Sequence, residues 1–418
     1  MTTEKQNKVD TLIEKWKPLL ENKKFPEIKD KTKLGHMAVL LENQDHALTE
    51  AASTNTPAIA SYDNVMMDMA RRAVPNFLAY DLAGFQPMSM PTGVIFAMRA
   101  HASTPGTVSN TPGVAGTPAV LGDEILFNES VTSFSGAGAH VGTNPFDGST
   151  YTTGTAMATL TAETSVASEI GIGIEKVTVT AKTRQLRASA SIELRQDLAA
   201  IHGIDADAEL SRILGEELTF ATNRELVRTI YTIAKPGSQN TTTPGTYDLT
   251  GDADGRWLGE RAKALWFHIQ REANLVGIQT RRGKGNLVVC DVNTAALLGM
   301  SGIMTYAPGM QSMASFATVD VTGPTLVGTV ADMKIYVDPY VTGTGAVVGY
   351  RGSNNMDAGL FYAPYVTATL FTATDPVTFA PTLGIKSRYA VVGNPFANSG
   401  ILTANTNPYF RKFQITGL

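Results

Sequence analysis

Cysteine is almost absent from this sequence of 418 residues. Cys290 is the single one, so an intrachain disulfide is excluded and a reducing compartment is indicated. The residue lies in the apolar run NLVVCD. That setting predicts a buried structural thiol rather than a nucleophile.

Charge is also scarce, and long apolar runs are lacking. Charged residues make up 17% of the chain and the net charge is −4, so there is no Lys/Arg surplus that would indicate nucleic-acid binding. No stretch approaches the ~20 apolar residues of a membrane span, and the N-terminus lacks the apolar centre of a signal peptide. The hydrophobic content of 43% is enough for a substantial core.

Motifs that carry chemistry are missing as well. The six histidines are scattered without an HExxH pattern, and no GxSxG elbow occurs. Gly283-Lys284 is not a P-loop, because Gly285 stands where Ser or Thr would bind magnesium. We therefore predict no catalytic residue, no cofactor and no metal site. A soluble α+β enzyme with an unrecognised site remains the alternative from another functional class.

The most regular stretch is Asp205–Ala234, whose apolar residues recur at helical spacing. Asp205 is suited to the N-cap, and Lys235-Pro236-Gly237 ends the pattern. A second helix is predicted at 256–280, and several short strands follow it, beginning with Leu287–Cys290. The mixture indicates an α+β fold.

Residues 1–50 differ from the rest, because 18 of the 50 are charged. Two short amphipathic helices are predicted there, and helices of that size bury little surface alone, so we expect them to dock on a partner. After Glu50 the sequence changes to the small residues of AASTNTP. Such a break predicts an extended segment that is accessible to a protease. A third short helix is predicted at Tyr62–Ala73, with Val65, Met66 and Met69 facing inward.

Residues 100–175 contain no Lys or Arg and seven acidic residues, with abundant Gly, Ser, Thr and Ala. Strand-like patterns at 94–99 and 172–191 flank them. Two strands that bracket such an excursion predict a long hairpin.

Many short segments, in order over about 350 residues, resemble the major capsid proteins of T-even-like tailed bacteriophages. They are RRAVPN (71–76), QPM (86–88), PTGVIFAMR (91–99), IEK (174–176), AKTRQL (181–186), ELRQDL (193–198), HGIDA (202–206), NRELV (223–227), QTRRGKGN (279–286), DAGLFYAPY (357–365) and NPF (394–396).

This resemblance implies an HK97-type α+β capsid fold with an N-arm, an E-loop hairpin, a P-domain built on a long spine helix, and an A-domain. The implied divisions are a propeptide or scaffold-binding segment at 1–50, the N-arm and start of the P-domain at 51–91, the E-loop at 92–195 with an inserted region at about 101–170, the P-domain at 196–285 with its spine helix at 205–234, the A-domain at 286–365, and a return to the P-domain at 366–418.

The resemblance also implies a maturation cleavage after a glutamate that stands two positions beyond Ile or Leu. Leu48, Glu50 and Ala51 fit this pattern at the compositional break. Leu40, Glu42 and Asn43 fit it too, but they lie inside a predicted helix, where a protease binds poorly. Glu50–Ala51 is therefore the predicted scissile bond.

The function implied is that of the major capsid protein, which forms hexameric capsomers of an icosahedral phage head; the related vertex protein, which forms pentamers, is the alternative in the same class. Implied partners are further copies of the chain, the vertex protein, the portal, the scaffold core and the prohead protease, with decoration proteins and a host chaperonin as additional ones. The shell would enclose double-stranded DNA without binding it specifically, and assembly would take place in the host cytoplasm. Candidate intersubunit contacts are Arg71, Arg72, Arg281, Arg282 and Lys284.

Overall fold

The computed structural model describes residues 2–20, 30–52, 78–103, 136–137, 140, 146, 151–164, 169–203, 205–250, 257–306, 324–374, 381–395 and 400–417. Helices and strands are mixed along these ranges, which confirms the α+β class. The elements up to the middle of the chain are α1 (Thr2–Leu20), α2 (Lys31–Ala52), α3 (Ala79–Leu82), β1 (Gly84–Phe85), β2 (Thr92–Ser103), α4 (Thr159–Thr164), β3 (Glu169–Thr180), β4 (Lys182–Ser189), α5 (Ile192–Asp197) with a π-helical turn (Leu198–His202), and α6 (Ala206–Ile233).

The second half contains most of the strands. Its elements are β5 (Ala234–Pro236), β6 (Thr246–Asp248), α7 (Leu258–Thr280), β7 (Leu287–Cys290), α8 (Val292–Met300), β8 (Thr305–Tyr306), β9 (Thr325–Val330), β10 (Met333–Val337), β11 (Gly345–Gly349), β12 (Leu360–Thr374), β13 (Pro381–Gly393) and β14 (Asn407–Thr416).

The strands form two larger sheets and one separate hairpin. The first sheet has the order β1-β12-β13-β4, and the second has the order β5-β14-β11-β7-β10-β9-β8 with β6 beside β14. Among the described residues, strands β2 and β3 pair only with each other. The hairpin therefore stands outside both sheets.

The long predicted helix is confirmed as α6. The Asp205 side chain caps it by accepting a hydrogen bond from the amide of Asp207 at 3.0 Å. The helix ends at Ile233, because Pro236 disfavours helical geometry in the residue before it and the chain turns into β5. Leu214 and Leu218 share a buried cluster with residues of β13, so α6 packs across the first sheet.

The predicted hairpin is confirmed by the pairing of β2 with β3, which runs from Thr92 opposite Thr180 to Ser103 opposite Glu169. Each strand has 12 residues. At about 3.4 Å per residue it reaches roughly 40 Å. Ile95 and Val179 are buried against the first sheet at its root. In the part of the chain that the structure describes, the hairpin is thus anchored at its root.

One prediction about the strands was wrong. The sequence pattern predicts two separate strands at 359–362 and 366–379, but β12 is continuous from Leu360 to Thr374, because it pairs with β13 along its length. Strand β9 begins at Thr325, where a predicted loop-rich stretch at 301–325 ends. The last strand, β14, pairs with β11 in the second sheet.

Candidate functional site: the amino-terminal helices and the exposed hairpin

Helix α2 buries one apolar face in the core of this same chain. Its apolar side chains that are at most 1% exposed are Met37, Ala38, Leu40 and Leu41. They share a cluster with Tyr80 and Phe85 of the body. The sequence predicts an apolar stripe that includes Met37, Ala38 and Leu41, and the fold adds Leu40 to the buried face.

Two amides fix helix α2 to the backbone beneath it. Asn43 Nδ2 donates to the carbonyl oxygen of Met88 at 2.7 Å and to that of Tyr365 at 3.0 Å. Gln44 Nε2 donates to the carbonyl oxygen of Ala368. Met88 immediately precedes the root of the hairpin, while the other two carbonyls belong to β12. The two amides therefore join α2 to the first sheet and to the hairpin root.

Helix α1 packs on α2 from outside. Trp16 Nε1 donates to Glu42 Oε2 at 2.9 Å, and Lys15 Nζ lies 2.7 Å from the same oxygen. The amino-terminal helices thus dock on the body of their own chain, a contact that the sequence analysis did not predict. Together they bury the surface that neither could bury alone.

A polar cavity of about 400 Å³ lies where α2 meets the body, and His36 lines it. The imidazole stacks on Phe85 at 5.3 Å, and its Nε2 lies 3.4 Å from Asn355 Nδ2. Burial lowers the pKa of His36 to about 4, with a contribution from the nearby Arg351 in the same direction and an opposing effect of Asp30. The docked histidine is neutral at physiological pH.

The two candidate cleavage sites both lie in helix α2. The predicted break directly after Glu50 was wrong, because the helix continues to Ala52 and includes the Glu50–Ala51 bond in its last turn. A last turn frays readily, since its carbonyls lack helical partners. At the alternative site, Leu40 is buried and Glu42 accepts the bonds from α1, while Asn43 holds the hairpin root. A protease reaches the Glu42–Asn43 bond only if α2 leaves the body.

The hairpin carries a long apolar face that this chain leaves exposed. Ile170, Ile172 and Ile174 alternate along β3 and are 68–71% exposed. Val94 and Phe96 lie on the same face and are also exposed, because each pairs with an even-numbered residue of β3, as the three isoleucines are. A two-stranded hairpin is marginally stable alone, and an apolar stripe of this length indicates an interface.

The five basic residues expected at subunit contacts are only partly placed. Arg71 and Arg72 lie outside the described residues. Arg281 is the C-cap of α7 with φ +52°, so Arg281, Arg282 and Lys284 lie directly after the end of this helix. The carbonyl of Arg282 accepts a hydrogen bond from Tyr350 at 3.3 Å. Arg281 and Lys284 face solvent, where a neighbouring subunit can reach them.

The structure also brings together a serine and a histidine that no sequence pattern paired. Ser238 Oγ lies 2.7 Å from His268 Nε2, and Glu272 Oε1 approaches the same ring nitrogen at 3.8 Å. In a catalytic triad the carboxylate binds the other nitrogen. Ser238 is 1% exposed, its amide donates to Glu272, and Arg411 pairs with that carboxylate at 2.6 Å. This is a buried structural network that ties β14 to α7.

The remaining expectations concern the cysteine, metal sites and membrane spans. Cys290 is fully buried, and burial raises the pKa of its thiol, as a structural cysteine requires. Within the described ranges, no three His, Cys, Asp or Glu side chains gather where they could hold a metal ion. In the same part of the chain, no helix is long and apolar enough to cross a membrane.

Comparison with known proteins identifies the family. Residues 59–415 match the family described as "Major capsid protein Gp23". The chain belongs to this family. It is 36% identical to the major capsid protein of Serratia phage KSP90, over 96% of this chain and 97% of the relative. It is 32% identical to that of Enterobacteria phage T4, over 97% and 98% of the two chains.

The chain is accordingly a major capsid protein of the phage head, a component of the virion shell, and the resemblance to T-even-like capsid proteins is confirmed. The capsid vertex protein of phage T4 is more distant, at 25% identity over 53% of this chain and 52% of that protein. Among solved structures, the capsid of myovirus XM1 aligns with a TM-score of 0.42 and 10% identity, over 82% of this chain and 92% of that chain. The family match begins at residue 59, beyond the segment 1–50.

Proposed function

We propose that this capsid protein assembles into hexameric capsomers of an icosahedral head with an HK97-type arrangement, and that adjacent copies cover the apolar face of its hairpin. The observation that carries the proposal is that face. Five apolar side chains stand exposed on an element that is anchored at its root. Association of many copies removes this surface from water, and the contacts add up around a closed shell.

A pair of substitutions at one position tests the assembly role. In the Ile172→Lys variant, a charge enters the centre of the exposed face, and burying it against a neighbour is costly. We expect the yield of shells, counted by electron microscopy and sedimentation, to fall at least about tenfold. The Ile172→Val variant keeps the apolar surface and serves as the matched control. Normal shells from the lysine variant would refute the role of this face.

Residues 1–50 act before maturation in this proposal. They are a propeptide that binds the scaffold core in the host cytoplasm and is then removed by the prohead protease between Glu50 and Ala51. The position of that bond in the last turn of α2 supports the choice, since the rest of the helix is held by buried contacts. Further partners are the vertex protein, the portal, decoration proteins and a host chaperonin. The shell encloses double-stranded DNA without binding it specifically.

Intact mass spectrometry of purified particles tests the cleavage. A dominant chain that starts at Ala51 is expected. A start at Asn43 would move the cut to the alternative site and would require α2 to undock first. A full-length chain in the particles would end the proteolytic part of the proposal, and absence of the chain from particles would end the assembly part.

A further inference from the structure

Removal of residues 1–50 uncovers a groove on the body of the chain. We call it the α2 groove and define it by Tyr80, Phe85, Met88, Tyr365 and Ala368, which α2 contacts through ring stacking and hydrogen bonds. The inference below rests on the proposed excision of residues 1–50. It concerns what fills the α2 groove afterwards.

Exposing the α2 groove to water is unfavourable, because it is lined by aromatic rings. Tyr80 and Phe85 stack at 4.0 Å between ring centroids, and both are at most 5% exposed while α2 is in place. Loss of Asn43 and Gln44 also removes the side-chain donors from three carbonyl oxygens. The two aromatic rings and the three carbonyl oxygens beside them fit an amphipathic helix whose apolar face covers the rings and whose side-chain donors reach the oxygens.

We propose that residues 62–73 of the same chain, YDNVMMDMARRA, replace α2 in the α2 groove once residues 1–50 are gone. The sequence predicts a helix over this range with Val65, Met66 and Met69 on one face. These residues lie outside the part of the chain that the structure describes. The proposal therefore rests on the groove, on the sequence of the segment and on where the segment is attached.

The segment repeats the spacing of the contact face of α2. The residues of α2 that enter the body include, in order, Met37, Ala38, Leu41, Asn43 and Gln44. The residues that stand 28 positions later in each case are Val65, Met66, Met69, Arg71 and Arg72. Three apolar side chains thus recur at i, i+1 and i+4, and two side-chain donors recur at i+6 and i+7. The arginines would supply hydrogen bonds to the carbonyls that the two amides release.

One position departs from this correspondence. Asp68 stands where α2 has the buried Leu40. The replacement helix therefore buries less apolar surface than α2. Before cleavage, α2 therefore occupies the α2 groove in preference to the segment. The segment enters only after residues 1–50 have been removed.

Attachment favours the segment of the same chain. Leu78 lies in the same core cluster as Tyr80, and its amide donates to Asn223 Oδ1 at 3.1 Å. Ala73 is five residues before Leu78, so an extended link places it within about 18 Å of this anchor. A link of that length gives an effective concentration of the order of millimolar. A segment from another copy has no such advantage.

Cross-linking in particles tests the proposal, since the single native cysteine is buried. Met88→Cys is combined with Met69→Cys, and a short bis-maleimide is applied to shells before and after cleavage. The matched control combines Met88→Cys with Met67→Cys, which puts the same substitution on the opposite face of the predicted helix. Shells built from a mixture of isotope-labelled and unlabelled chains separate links within a chain from links between chains.

We expect cleaved shells to form the link between positions 69 and 88 within one chain at least about tenfold more than uncleaved shells, and more than the control. Equal linking before cleavage, equal linking by the control, or linking mainly between chains would each overturn the proposal. The mass of the chain is read from the same sample. A chain that is cut but not linked defeats this inference alone, whereas an uncut chain in the particles defeats the proposed excision as well.

Hydrogen exchange on native shells gives a second measurement that needs no substitution. Amides of residues 65–73 should gain protection after cleavage, while those of residues 79–88 should stay protected. Residues 65–73 that exchange as fast after cleavage as before would overturn the proposal, even if the Met88→Cys variant failed to fold.

Discussion

Helix α2 and the β2–β3 hairpin each present an apolar face, but only one of the two faces is buried within the chain. The helix face is buried by the body of the same subunit, with two amides completing its edge. The hairpin face is left in solvent by the same subunit. The helix belongs to the segment proposed for removal, and the hairpin remains. The difference indicates that intramolecular burial stabilises the precursor, whereas intermolecular burial stabilises the shell.

Truncation of a buried side chain on α2 should have the largest effect on the unassembled chain. Leu41 is fully buried, so Leu41→Ala removes its contacts and leaves a cavity. We expect docking of residues 1–50 to weaken by about 2–5 kcal/mol. Native-state hydrogen exchange of residues 37–44 measures this. Unchanged protection there would break the comparison, because the helix face would then contribute no more than the hairpin face.

Acid should release the same helix. The pKa of His36 is lowered from 6.5 to about 4 by burial, so below pH 6.5 the undocked imidazole takes up a proton that the docked one does not. Docking is therefore at full strength above about pH 6.5 and weakens as the pH falls toward 4, by up to ~3 kcal/mol. Amide hydrogen exchange of residues 37–44, measured from pH 7 to pH 4, reports this loss of docking free energy.

The His36→Gln variant is the control for this pH dependence. It keeps a polar group toward Asn355 but does not titrate in this range, so its docking should change much less between pH 7 and pH 4. The other titratable groups around the cavity are Asp30, Lys33, Tyr80, Asp81 and Arg351. A variant that lost protection as steeply as the native chain would show that His36 is not the group responsible.

Loss of the Asn43 amide should have a smaller effect. Asn43→Ala leaves the carbonyls of Met88 and Tyr365 without this donor in a buried place, which costs about 1–3 kcal/mol of docking. Because Met88 precedes the hairpin root, exchange at residues 92–96 should rise too. A rise confined to α2 would show that the helix does not influence the hairpin.

Truncation on the hairpin should have the smallest effect before assembly. Ile172→Ala removes a side chain that is already in solvent, so the free energy of unfolding of the unassembled chain should change by no more than about 0.5 kcal/mol. Chemical denaturation of the subunit tests this, and thermal stability of the shells is compared in parallel. A loss of subunit stability as large as that of Leu41→Ala would show that the hairpin face is covered within the chain.

Local patterns were sufficient for the long elements. The α6 helix followed from its cap at Asp205, its apolar spacing and Pro236, all of which act within a few residues. The two strands of the hairpin followed from strand-like patterns of apolar residues on both sides of residues 100–175, which contain no Lys or Arg. The capsid family followed from many short segments in a fixed order, and no single segment was enough.

Contacts between distant residues could not be read in the same way. Ser238 and Arg411 lie 30 or more residues away from His268 and Glu272 of α7, so no local spacing signals the buried network that the four residues form. The continuity of β12 and the place of β14 depended on strand partners. The helix through Glu50 and Ala51 continued where composition predicted an extended chain.

The sequence by itself determined the long helix α6 and the strands of the hairpin, that the chain is a phage capsid protein, and where two short cleavage patterns lie, because these depend on neighbouring residues or on similarity along the chain. Only the tertiary structure decided that α2 docks on its own subunit and that the cleavage pattern at Glu42 lies in its docked part. It also decided that the isoleucine face of the hairpin is exposed to solvent. Burial is a property of what packs on a residue, and that partner can be more than 300 residues away, as Tyr365 is from Asn43.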